Sequence, residues 1–171
     1  MRDMSAASSE PWMRGPIEGV PFVVMPLFFT FAQVREDLAR HTQGLSTEQI
    51  WKRITNNAPL GFHLRHIGGS VDRLLTYLEG RQLTDEQLTA LRAEAEPGAD
   101  MSTVLNELYA QLESAERRLR EMDVSQLDAP RSVGRQRLPT TVLGLLVHIA
   151  EHTQRHLGQA ITTAKLLRSE G

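Results

Sequence analysis

Residues 141–170 read TVLGLLVHIAEHTQRHLGQAITTAKLLRSE, and this stretch indicates the fold class. Its apolar residues recur three and four positions apart, which is the spacing of one buried helical stripe. The stripe consists of Val142, Leu145, Ile149, Ala160 and Leu167. Either Thr140 or Thr141 can supply the N-cap. The stretch therefore predicts one long helix with a buried face.

Three of the six histidines, His148, His152 and His156, follow one another at intervals of four residues on this helix. Four residues advance an α-helix by about 6 Å, so all three histidines span about 12 Å. A metal–imidazole bond is only about 2.0–2.1 Å long, so one straight helix can give two of them to one ion. On a helical wheel His152 and His156 lie beside Leu145, whereas His148 lies about 60° away on the outer flank.

The inward placement of His152 and His156 requires an explanation. An unpaired buried polar group costs about 1–3 kcal/mol, and a shared metal ion would satisfy both imidazoles at once. The plainer interpretation is that the HxxxH pair is simply two polar residues in a bundle that binds no metal. We favour the metal site because the pair interrupts an apolar stripe and a second histidine cluster lies on another predicted core helix.

That second cluster is FHLRHIGG, residues 62–69, which contains His63 and His66. His63 lies nearer the apolar stripe of its helix and His66 lies on the edge, so the wheel leaves both open as the third ligand. The Gly68-Gly69 pair lowers helix propensity by about 1 kcal/mol per glycine. It indicates a close approach of other atoms, a notch for helix packing, or a bend.

The whole chain predicts an all-α four-helix bundle with short accessory helices. The other long helices run from about residue 26 to 44, 59 to 79 and 100 to 122, and short helices lie near 46–54 and 84–96. The long joint after the second long helix favours an up-down-down-up order, with up-down-up-down as the alternative. Residues 123–139 lack a helical period and predict a loop or a short extended segment. Residues 1–20 predict a flexible tail and lead-in, and residues 21–171 the bundle domain.

Composition excludes several classes of function. The chain has 171 residues, a formal charge of −2 and no cysteine, so a phosphate-tracking surface, disulfides and thiolate ligands are not expected. We predict no nucleic-acid partner. The apolar run VPFVVMPLFF is about half the roughly twenty residues that a membrane span needs, so we also expect no membrane and a cytoplasmic protein.

The motifs FHLRHI and HIAEHTQRHLGQ resemble those of the DinB-like, or YfiT-like, superfamily of metal-binding four-helix bundles. The resemblance covers most of the chain from about residue 22. It implies that one histidine of the second long helix and an HxxxH pair of the last helix hold a metal. Carried over, these ligands are His66, His152 and His156, and the trailing HLGQ is also typical. His63, His148 and Gln159 stay secondary candidates, with Gln159 either supporting a ligand or simply exposed.

The resemblance implies a divalent metal, Zn²⁺ or Ni²⁺, with an open coordination position for water or a thiol. The family includes thiol-dependent transferases and isomerases, so we expect a small-molecule substrate, with a low-molecular-weight thiol as cofactor and thiol transfer or hydrolysis as the reaction. The alternative is a non-catalytic metal- or ligand-binding bundle. A homodimer is expected, and the sequence identifies no general acid or base.

Overall fold

A computed structural model describes residues 9–169, and most of these residues are helical. Within this part of the chain the elements are α1 Met25–His41, α2 Thr47–Trp51, α3 Leu60–Leu78, α4 Asp85–Ala93, α5 Met101–Arg120, β1 Pro130–Val133, β2 Leu138–Thr141 and α6 Val142–Ser169. A short 3-10 turn at Pro11–Met13 precedes them. The predicted all-α bundle is confirmed, with α1, α3, α5 and α6 as its long helices.

Side-chain caps mark the starts of several helices. Ser46 before α2 and Thr84 before α4 each form a capping box, with Gln49 and Gln87 respectively as the reciprocal partners. Asp100 accepts a hydrogen bond from a backbone N–H in the first turn of α5. These caps satisfy N–H groups that have no partner inside the helix. Ser46 and Thr84 are residue types that are preferred at N-caps.

Helix α3 lies at the centre of the bundle, where it packs against α6 and α5, while α1 packs against α6. Its apolar stripe is almost fully buried, and the members of that stripe are Leu60, Leu64, Ile67, Val71, Leu74, Leu75 and Leu78. Because α3 contacts both α5 and α6, any side chain on its flanks lies at a boundary between helices. Side chains on the flanks of α3 can therefore contact groups from α5 or α6 in the interior of the bundle.

Contacts near the helix ends indicate how the long helices run. Arg118 near the end of α5 pairs with Glu79 just after α3, so α3 and α5 share a direction. Arg168 near the end of α6 donates to a backbone carbonyl just after α1, so α1 and α6 share a direction. The guanidinium of Arg120, at the end of α5, lies 4.9 Å from the ring centroid of Phe28, near the start of α1. These contacts favour the up-down-down-up order, which stays a prediction.

Strands β1 and β2 form an antiparallel hairpin in the region where the sequence predicted a loop or a short extended segment. The pattern signal was weak because each strand has four residues and carries a proline, Pro130 or Pro139. The reverse turn contains Gly134 with φ +72° and Arg137 with φ +51°. The hairpin leads directly into α6, whose Gly144 N–H donates to the Thr141 hydroxyl, so Thr141 is the cap of the two candidates.

The lead-in residues 9–20 contact α1. The guanidinium of Arg14 donates to both carboxylate oxygens of Glu36, at 2.5 and 2.8 Å, and Val20 is buried. Residues 1–8 of the predicted tail lie outside the described residues, and the boundary between tail and domain at residue 20 stays a prediction. The apolar run VPFVVMPLFF leads into α1, whose apolar side chains are mostly buried. Among residues 9–169, no helix is both long and apolar enough to cross a bilayer.

Replacement of Ile149 by alanine tests the packing of α6. The Ile149 side chain is fully buried, so Ile149→Ala should lower the free energy of unfolding by about 2–5 kcal/mol through lost burial and an unfilled cavity. Val147→Ala on the same helix is the matched control, because Val147 is 61% exposed. Urea unfolding of both variants measures the difference. Equal loss in the two variants would contradict the inward orientation of Ile149.

Candidate metal centre

Three imidazoles from two helices meet at one place between α3 and α6. One ligand nitrogen from each of His66, His152 and His156 lies within 4.8 Å of the other two. Nε2 of His66 is 3.0 Å from Nε2 of His152, and the ring centroids of His66 and His156 are 4.3 Å apart. Two nitrogens bound to one tetrahedral ion are about 3.3 Å apart when each bond is about 2.05 Å. This group could bind a metal ion.

The pKa values of this cluster are consistent with neutral imidazoles. Burial, together with the nearby His156, His66 and other basic groups, lowers the pKa of His152 to about 4. Burial, together with His66 and His63, likewise lowers the pKa of His156 to about 4. Both side chains are therefore unprotonated at neutral pH. A neutral imidazole has a free lone pair, which a metal ligand requires.

His63 is also buried, but it lies behind His156 and outside the converging set. Its Nδ1 is 3.2 Å from Nδ1 of His156, so one of the two nitrogens donates to the other. Burial and, to a smaller extent, the neighbouring His66 together lower the pKa of His63 to about 4. If His156 offers Nε2 to a metal, its Nδ1 carries the proton and donates to His63. His63 then supports a ligand and does not compete with His66.

Glu94, which the sequence analysis did not single out, contacts His66 from the opposite side. Its Oε2 lies 2.7 Å from Nδ1 of His66, and its Oε1 lies 2.7 Å from Nη1 of Arg73 in an ion pair. Glu94 is 4% exposed and Arg73 is 8% exposed, so both charges are buried. A buried carboxylate is rare unless it is paired. The carboxylate accepts the Nδ1 proton of His66, which leaves Nε2 free to act as a donor to a metal.

The Gly68-Gly69 pair makes room for other side chains, and helix α3 runs through it without interruption. A Cβ atom at Gly68 would lie 1.9 Å from Oε1 of Gln111 on α5. A Cβ atom at Gly69 would lie 2.7 Å from both Oε1 of Glu94 and Nη1 of Arg73. Gly68 is therefore a notch for the packing of α5, and Gly69 allows the close approach of the Glu94–Arg73 pair.

Comparison with known families agrees with this geometry. A sequence model described as the DinB superfamily matches residues 30–160, which include all three converging histidines. The chain belongs to the DinB superfamily. No curated protein matches the sequence at a significant level. The resemblance that the two histidine motifs predicted is therefore confirmed at the level of the family.

The remaining candidate residues of this DinB chain lie around the three histidines. His148 is exposed and lies near Glu151, at 3.4 Å, so it stays on the outer flank of α6. Gln159 is exposed and lines an open cavity of about 720 Å³ that reaches His63 and His156. Nδ1 of His152 is buried and has no hydrogen-bond partner among the described residues. The ligand assignment of these residues stays a prediction until metal binding is measured.

The donor set of the DinB chain fits a divalent transition metal. Neutral imidazoles suit Zn²⁺ and Ni²⁺, and the carboxylate of Glu94 on Nδ1 of His66 is the usual kind of support for a ligating histidine. Without a metal, the short contact between the Nε2 atoms of His66 and His152 requires one shared proton. A cation bound there would replace that proton. The residues present therefore fit the group that the family implies.

The metal-free DinB chain should lose stability in mild acid. The pKa of His152 is lowered from 6.5 to about 4 in the folded state, and those of His63 and His156 are lowered in the same way. The unfolded chain therefore binds more protons than the folded one between pH 6.5 and 4, so the free energy of unfolding falls as the pH drops through this range. Urea unfolding in the presence of a chelator, at pH 7 and pH 5, measures the fall.

The control for this pH dependence is a comparison between histidine variants. His148→Ala should retain the full fall in stability because His148 is exposed. The double variant His152→Ala/His156→Ala should show a shallower fall, since two groups with lowered pKa values are gone. Equal slopes in the two variants would contradict the assignment.

Proposed function

We propose that this DinB chain is a metal-dependent enzyme that holds one divalent ion, Zn²⁺ or Ni²⁺, on His66, His152 and His156. The observation that carries the proposal is the convergence of three imidazoles with no fourth protein ligand grouped with them among the described residues. Structural zinc sites are normally closed by four protein ligands, whereas catalytic sites use three and leave one position open. The donor count therefore favours catalysis over a structural role.

The bound ion would act as a Lewis acid, lowering the pKa of a bound water toward about 7 or deprotonating a coordinated thiol. The chain's own part is to orient the three nitrogens and, at His152 and His156, to keep them unprotonated by burial. The three ligands come from two helices, and they would leave the fourth coordination position of the ion free for a substrate. We infer thiol transfer as the reaction, with hydrolysis as the second choice.

The open cavity beside His156 supports a small-molecule substrate. Amide groups of Asn57 and Gln159 and the hydroxyl of Thr162 line it, together with the ring of Phe62. Amides and hydroxyls can donate and accept hydrogen bonds, so they suit a polar substrate such as a low-molecular-weight thiol. We propose that such a substrate enters here and reaches the open position next to His156.

Metal analysis of protein purified without a histidine tag tests the proposal. We expect about one equivalent of Zn²⁺ or Ni²⁺ in the unaltered protein and at least a tenfold lower content in His152→Ala and His156→Ala. His148→Ala is the matched control, because it removes an imidazole from the same helix outside the cluster and should retain the metal. Absence of metal from the unaltered protein, or the same metal content in all variants, would contradict the site.

A second measurement distinguishes catalysis from a structural role. Turnover should be assayed with a panel of low-molecular-weight thiols and electrophilic acceptors, with and without a chelator. Chelator-sensitive turnover supports an enzyme. If no chelator-sensitive turnover is found but the chelator strongly lowers the melting temperature, the protein is better described as a non-catalytic metal-binding bundle.

The homodimer and the cytoplasmic location stay part of the proposal. Several large apolar side chains are exposed, among them Trp12 at 62%, Phe22 at 83% and Val147 at 61%. Burial of such side chains between two copies would be favourable. Sedimentation of the purified protein at micromolar concentration would give the number of copies.

A further inference from the structure

The buried carboxylate of Glu94 lies on the far side of His66 from the converging nitrogens. Its Oε2 is 2.7 Å from Nδ1 of His66, while Nε2 of the same ring is 3.0 Å from Nε2 of His152. One imidazole ring therefore links the carboxylate to the three-histidine cluster. Because an ionised carboxylate only accepts hydrogen bonds, it requires the proton of His66 to reside on Nδ1.

The segment that carries Glu94 is attached to α3 at several points. Nη1 of Arg65 donates to the carbonyl oxygens of Ala93, at 3.3 Å, and Glu96, at 2.9 Å, on either side of Glu94. The guanidinium of Arg65 also stacks on the ring of Trp51 at 5.0 Å. Arg65 precedes His66 in the chain, so the residues that hold this segment and the residue that receives the carboxylate are neighbours on α3.

Gly69 supplies the space that the carboxylate occupies. It lies one helical turn after His66 and one turn before Arg73, on the same face of α3. A Cβ atom there would lie 2.7 Å from both Oε1 of Glu94 and Nη1 of Arg73, too close for either to stay in place. The helix thus lacks a side chain at the position where the ion pair passes over it. The lack of a side chain at Gly69 is an observation independent of the hydrogen bond to His66. Both observations concern the carboxylate of Glu94.

We propose that Glu94 is a positioning residue for the metal centre, fixing His66 in the tautomer that presents Nε2 to the ion, with Arg73 and Gly69 holding the carboxylate in place. The inference rests on the proposed metal site. Support is unequal among the three ligands, because Nδ1 of His156 contacts neutral His63 and Nδ1 of His152 has no partner among the described residues. His66 is the ligand of this set whose Nδ1 contacts a carboxylate.

Replacement of Glu94 by glutamine tests the proposal with little change of shape. The amide has one acceptor end and one donor end, whereas the carboxylate accepts a hydrogen bond from His66 with one oxygen and forms an ion pair with the Arg73 guanidinium through the other. The acceptor end can satisfy only one of these two partners, and if it faces Arg73 the NH₂ end requires His66 to carry its proton on Nε2. We expect Glu94→Gln to weaken Zn²⁺ binding about 10–100-fold, measured by competition with a chromogenic chelator.

The matched control is Glu96→Gln, which removes an exposed carboxylate two residues away and should leave Zn²⁺ affinity unchanged. Gly69→Ala is a second variant that adds a methyl group at the carboxylate and should also weaken binding. Its control is Gly158→Ala on α6, where nothing lies within 4 Å of an added Cβ. Circular dichroism verifies that each variant is folded.

A spectroscopic readout keeps the proposal testable if these variants fail to fold. In the metal-free unaltered protein, nitrogen NMR shifts should show that His66 is protonated on Nδ1 and not on Nε2. The opposite tautomer, or an unchanged Zn²⁺ affinity in folded Glu94→Gln, would overturn the role of Glu94 alone. An unaltered protein that binds no Zn²⁺ would instead overturn the proposed metal site, and the tautomer would still report on the contact with Glu94.

Discussion

The close packing of α3 against α6 is the constraint on which the rest of the structure depends. It brings the partly buried imidazoles of His66, His152 and His156 to a common point, where protonating several of them would place like charges within a few ångströms. This packing therefore favours neutral rings at His152 and His156. Because neutral rings have unshared lone pairs directed at one another, the packing itself favours a shared cation or proton between them.

Helix α3 meets two different demands on its two sides. On the side that faces α6, helix α3 contributes His66 to the histidine cluster. On the side that faces α4 and α5, it has glycine at Gly68 and Gly69, which leaves space for the side chains of Gln111 and Glu94. Glycine inside a helix costs about 1 kcal/mol relative to alanine, and two in succession are tolerated here because the bundle is packed on both sides. Glu94 directly follows α4, so its ion pair with Arg73 attaches the end of α4 to α3 at the centre of the bundle.

The sequence predicted the long helices well because caps and apolar periodicity are local signals. Thr84 and the stripes of α3 and α6 are examples. It could not choose between His63 and His66, because a helical wheel orders residues by depth in the core. Depth alone does not identify the converging ligand, because the more deeply buried His63 lies outside the cluster and the partly buried His66 lies inside it. The sequence did not indicate Glu94, because Glu94 lies 28 residues after His66 in the chain. No helical periodicity relates the end of α4 to a particular turn of α3.

Charge balance around the three histidines adds to the case for an open site. Glu94 contributes one negative charge next to His66, but its ion pair with Arg73 cancels most of that charge locally. A divalent ion on three neutral imidazoles would then keep nearly its full double charge in a half-buried place. Such a charge is stabilised best by an anionic fourth ligand. Among the described residues, no carboxylate is grouped with the three imidazoles as a fourth ligand. The neighbouring cavity is lined by neutral amides and hydroxyls and by Arg155, whose guanidinium pairs with Glu151. An anionic fourth ligand, either a hydroxide formed from bound water or a thiolate, would supply the missing negative charge to an ion held there.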